Sequence, residues 1–340
     1  SPANGWAAFF AVKVSSVRAA RSALPVRDRC AELLMAISQH ATTGAETNFA
    51  WRYVGHNGRL IMALMCRVEA ASQPAAEVAA HALWELMRPL LPLAGLALLY
   101  EPVYSAAELA FLRAPVAVES AVEIARKEIM VHGHGPQDEM YMVYPLPAHD
   151  DSLGRMLSAL ADQSVPTVLD IHFKPTEVLQ WERGIISRMI QKENQNGGLM
   201  ALPDLQETVK HEDGAGTPDF RLNMIRQMYP FFLDRTQSLA FIVQIQIAAQ
   251  GRMDAALPNL VSLSLFGTSR YEIVPALAER DVETVRRNIY EIAPERWVFS
   301  DAPDGLERWR HLLTPDEALS ATRIPHPGPG AAVLLHRVHR

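Results

Sequence analysis

Runs of apolar residues, spaced first as strands and then as helices, organise this chain before any motif does. The run WAAFFAVKVSS, from Trp6 to Ser16, is rich in aromatic and β-branched residues and predicts a strand. Val26 to His40 instead places Cys30, Leu33, Leu34 and Ile37 at helical spacing, so an amphipathic helix follows. Two strand-like runs then flank Asn57-Gly58, a dipeptide that tolerates positive φ at both centres of a tight hairpin turn. The alanine- and leucine-rich stretch from Ala75 to Leu91 is helical by propensity, and Pro92 to Gly95 separates it from the strand-like LALLYEPV.

The same order of strand, helix and strand returns twice. From Met140, MYMVYPLP reads as a strand, SLGRMLSALADQ as a helix with Ser152 as its candidate N-cap, and TVLDIHFKP as a strand. From Leu239, LAFIVQIQIAAQ, ALPNLVSLSLFG and YEIVPAL give the third instance. Between them, Val178 to Gln195 predicts a helix, Lys210 to Pro218 a polar, glycine-rich loop, and Arg221 to Phe232 another helix. The three passages are similar in pattern without a strict period, which argues against a solenoid. They predict an α+β fold of several small two-layer α/β units with mainly antiparallel sheets. The expected boundaries are 1–115 for a unit with the hairpin, 116–235 for one with a helical insert, 236–325 for one with a closing helix, and 326–340 for a linker.

Composition narrows the classes. A chain of 340 residues with 49% apolar content has room for two or three packed units. The net charge of −6, with both signs interspersed, advertises no nucleic-acid surface, so any DNA contact is expected to be local or indirect. Cys30 and Cys66 lie in separate apolar runs and read as small buried hydrophobes, consistent with a reducing, cytoplasmic setting. The opening SPANGW lacks the features of a signal peptide. The most apolar window, from Ala82, contains Glu85, Arg88, Pro89 and Pro92, and so fails as a membrane span.

Candidate chemistry is sparse. His132 and His134 alternate within VHGHG and could begin a metal site, but no companion Cys-x-x-Cys or His-Glu-x-x-His run supplies the remaining ligands. His211, Glu212, Asp213 and Asp219 sit among glycines without the spacing of a calcium loop, and read as a charged turn. Asp170, His172 and Lys174 share one face of a strand, where an acid, a base and a cation could move protons. The alternation of a half-exposed strand, with Leu169, Ile171 and Phe173 on the other face, accounts for the same residues. The chain contains neither Gly-x-x-x-x-Gly-Lys-[Ser/Thr] nor Gly-x-Ser-x-Gly. No catalytic, cofactor or metal residues are therefore assigned within it.

Two segments share a capping-box signature. Ser105 with Glu108, closing on Pro115, and Thr314 with Glu317, closing on Pro325, each place a hydroxyl where it caps a helix and a carboxylate where it reaches back. The second box leads into HPGPG. In that setting it resembles the junction before the motor domain of HerA/FtsK-superfamily DNA-pumping ATPases, particularly those of conjugation and type IV secretion. LAFIVQIQIAAQG, with the helix and strand after it, is similar to the last α/β unit of their N-terminal region. The resemblance implies a cytoplasmic, non-motor region whose interdomain junction is Thr314, Glu317 and Pro325. It further implies a motor domain in the same protein that alone binds ATP and Mg, a homo-oligomer, other proteins of the assembly as partners, and no membrane span. The alternatives are a scaffold of an oligomeric secretion or phage-like assembly, and a small enzyme using Asp170, His172 and Lys174.

Overall fold

Asn57 and Gly58 both take positive φ, 47° and 75°, so the turn between them matches the right-handed twist of its strands. In the computed structural model the described residues are 5–19, 26–41, 45–91, 96–131, 140–144, 146, 153–195, 239–267, 271–300, 302–322 and 324. The turn joins β2 (Glu46–His56) to β3 (Arg59–Ala70), preceded by β1 (Trp6–Ala19) and α1 (Val26–Ala41) and followed by α2 (Gln73–Met87) and β4 (Leu96–Pro102). β1 lies antiparallel between β3 and β4. The order β2-β3-β1-β4 is the split β-α-β-β-α-β arrangement.

A second set repeats it. After α3 (Ala106–Arg113) come β5 (Ser120–Arg126), a ribbon of β6 (Glu128–Val131) and β7 (Met140–Val143), α4 (Gly154–Ala161) and β8 (Thr167–Thr176). Then follow α5 (Gln180–Gln195), β9 (Ala240–Ala249), α6 (Leu257–Phe266) and β10 (Tyr271–Pro275). Their order, β10-β5-β9-β8, has the same topology, and β2 pairs antiparallel with β8. Equivalent strands thus lie at equal distances from that seam, as a local two-fold relation places them. After α7 (Glu279–Glu291), β11 (Leu312–Leu313) adds beside β9 to complete nine strands, and α8 (Pro315–Thr322) follows. The fold is α+β with an antiparallel sheet. Strands of 116–235 and 236–325 interleave, and those of 1–115 continue the same sheet.

The two faces of the sheet differ. Phe49, Trp51 and Tyr53 of β2 and Leu169, Ile171 and Phe173 of β8 point to one apolar core, which they share with residues of α1, α2, α4, α6 and α8. Phe49 and Phe173 stack across the seam at 5.2 Å between ring centroids. There α4, from the second set, crosses a strand of the first. A Cβ at Gly55 would lie 2.0 Å from the Leu160 carbonyl oxygen, so glycine is what permits the crossing. The amides of Asn57 and Gly58 donate to the carbonyls of Gln163 and Ala161 at 3.0 and 2.8 Å, meeting acceptors that the end of α4 leaves unpaired.

The other face is polar and small-residued. Ala11, Ala50 and Ala63 receive Leu112 of α3, while Ala121, Val168 and Ala248 receive Val285 and Ile289 of α7. This second layer corrects the reading of β8 as half-exposed, because Asp170 and His172 are both fully buried beneath it. Cys30 and Cys66 are both buried and neither forms a disulfide, and burial raises the Cys66 thiol well above its ordinary value. Among the described residues no helix is long and apolar enough to cross a membrane.

Candidate functional site

Three features of the polar face and the chain's exit from it concentrate the chemistry. The first is a clasp at the seam. Arg52 of β2 stands opposite Asp170 of β8 in register and grips it through Nε at 3.0 Å and Nη2 at 2.5 Å, both residues being fully buried. Its Nη1 also donates to the Leu112 carbonyl, and Nη2 to that of Ile289 at 2.7 Å. These carbonyls belong to the last turns of α3 and α7, where a cation complements the helix dipole. Burial pushes the Asp170 carboxyl upward, but the Arg52 guanidinium and then His172 outweigh it and hold the group at about 2. His172 Nε2 lies 3.0 Å from Asp170 Oδ2, yet neither ring nitrogen has a partner of hydrogen-bonding geometry. Gln246, opposite Asp170 on β9, is fully buried with neither amide atom paired.

The second feature is the junction. Glu317 Nα donates to Thr314 Oγ1 at 3.3 Å, and Thr314 Nα donates back to Glu317 Oε2 at 3.0 Å, a reciprocal capping box. Glu317 Oε1 accepts from the Leu146 amide at 2.9 Å and lies 3.4 Å from Arg126 Nη1. Arg126 in turn donates to the carbonyls of Trp309, Arg310 and Leu312 at 2.7, 3.0 and 2.5 Å. So α8 is pinned at its first turn to β5 and to the segment entering it, and its residues Glu317 to Thr322 are buried. By contrast, Ser105 accepts from the Glu108 amide at 3.4 Å while the Glu108 carboxylate goes to Lys13 at 2.5 Å.

The third feature is a cavity of about 670 Å³ on the polar face, bounded by Ala293 to Arg296, which follow α7. Its floor includes Asn48 and Arg67, opposite each other on β2 and β3, together with Gln244 and His311. Gln244 donates to Glu123 at 2.7 Å, and His311 Nε2 lies 2.6 Å from the same carboxylate. Arg67, Lys174, Arg296 and Arg308 bring four positive charges to the lining. Glu46, Glu69, Glu295 and Glu307 cancel them.

Of the strand trio, Asp170 and His172 come together beneath the second layer, while Lys174 pairs with Glu46 and reaches the cavity. Among the described residues no group of three or more His, Cys, Asp or Glu side chains could hold a metal ion. His132, His134, Ser152, His211, Glu212, Asp213, Asp219 and Pro325 lie outside the described residues. The sequence reading passed over Arg52, Glu123, Arg126 and His311. Charged residues within the apolar runs FAWRYV and AVEIAR were the available signal. No protein-family model matches the chain, and no curated protein matches it in sequence.

Proposed function

We propose that this chain is the non-motor region of a HerA/FtsK-like or type IV secretion-like ATPase, acting beside the motor in assembly and in engaging partner proteins or substrate. The tandem sheet serves as the platform, and α8 is the fixed point from which the chain leaves toward the motor. The observation that carries this reading is the seating of Glu317, which closes the capping box with Thr314 and is tied to Leu146 and Arg126. A helix pinned in this way transmits force to whatever follows it, where a frayed one would absorb it. The junction ends at Pro325. Catalysis, ATP and Mg belong to the motor, because this chain carries no P-loop sequence. The working form is a cytoplasmic homo-oligomer with other proteins of the assembly as partners, and it meets DNA indirectly.

Reading the gene beyond the codon for Arg340 tests this proposal. A strand-forming run followed by Gly-x-x-x-x-Gly-Lys-[Ser/Thr] is expected soon after it. A stop codon there, or an unrelated domain, refutes the proposal.

A further inference from the structure

We propose that the cavity on the polar face binds an extended peptide segment carrying both acidic and basic side chains. Its size falls within the ~300–1,000 Å³ usual for ligand pockets, at about 670 Å³. The decisive feature is which floor atoms are still unpaired. Gln244 and His311 are held by Glu123, Lys174 by Glu46, and Arg308 by both oxygens of Glu182. Arg67 Nη2 is held by Glu69 at 2.9 Å, but Asn48 Oδ1 and Arg67 Nε are buried and have no partner. Asn48 is 2% exposed. One is an acceptor and the other a donor, and they stand on directly paired positions of neighbouring strands.

A peptide group offers the complement, an N–H for Asn48 and a C=O for Arg67. Trp181, Ile242 and Pro294 give the wall an apolar stretch for side chains. The four cations and four anions of the lining cancel, which disfavours a polyphosphate, a nucleic-acid backbone or a single-sign peptide and suits a segment of mixed charge. This inference stands whether or not a motor domain follows.

The test uses the intact chain with indole-¹⁵N tryptophan, the Trp181 resonance being assigned through Trp181→Phe. The probe is a pool of acetylated, amidated tetrapeptides randomised over Glu, Lys, Ala and Ser. We expect millimolar pool to move the Trp181 signal, while inorganic tripolyphosphate, tetralysine and tetraglutamate leave it in place. Asn48→Ala and Arg67→Gln should each weaken binding about tenfold, the loss expected for one hydrogen bond to a charged or buried group. Asn48→Ala should also leave the thermal midpoint equal or higher, since it removes a buried oxygen that the free protein does not satisfy. An unmoved Trp181 signal overturns the proposal. So does a shift with tripolyphosphate equal to that with the pool, which would mark an anion site. An Asn48→Ala variant that binds normally but melts lower would make the residue structural only.

Discussion

Replacing Arg52 by methionine should be among the most damaging single changes in this protein. The substitution keeps an unbranched apolar stem but leaves the Asp170 carboxylate buried without its counter-charge, and the Leu112 and Ile289 carbonyls without their donor. Removing one partner of a buried ion pair costs about 3–5 kcal/mol. Asp170→Leu alone should cost a similar amount, and the double variant much less than the sum, with a coupling of roughly 2–3 kcal/mol. Urea unfolding of the four proteins in a double-mutant cycle measures this.

The pH dependence gives an independent check. Asp170 is held at about 2, below its ordinary 3.8. A depressed carboxyl contributes stability that is complete above its unfolded value and is lost as pH falls through the folded one. The difference corresponds to about 2 kcal/mol. In Arg52→Met, burial dominates and the carboxyl rises, so acid neutralises the stranded charge. The gap between wild type and variant should therefore narrow between neutral pH and pH ~4. A loss below about 1 kcal/mol, additivity in the cycle, or a gap independent of pH would refute the reasoning.

Three further perturbations follow from single contacts. Gln246→Leu should raise the urea midpoint by an amount worth about 1–3 kcal/mol, since both amide atoms are buried without partners. Gly55→Ala should lower the thermal midpoint and detach α4 from the hairpin, read as faster amide exchange at Asn57 and Gly58, because the added Cβ meets a backbone oxygen at 2.0 Å. Glu317→Ala should cost about 2–4 kcal/mol, combining a lost cap with the ion pair to Arg126, and should speed exchange through α8.

Features encoded within a few residues were legible in the sequence. The Asn57-Gly58 turn, the helices at Val26 and Leu257, and the Thr314 box each depend on neighbours close along the chain. Other parts depended on distant segments and were not. β5 carries Glu123 and Arg126 inside an apolar alternation, and their partners are His311, Gln244 and Glu317, more than a hundred residues away. Arg52 and Asp170 are separated by 118 residues, so nothing local announces the clasp. β8 read as half-exposed because its alternation is real, but Val285 and Ile289 of α7 pack with Val168 on its polar side. The common topology of the two halves was hidden for the same reason, since it appears only once β5 is seen to lie between β9 and β10.

The proposed role rests on a motor joined to α8, and ATP hydrolysis by the product of the whole gene tests it most directly. Turnover that disappears when the P-loop lysine is changed is the predicted result. A full-length product that hydrolyses no ATP would contradict the account.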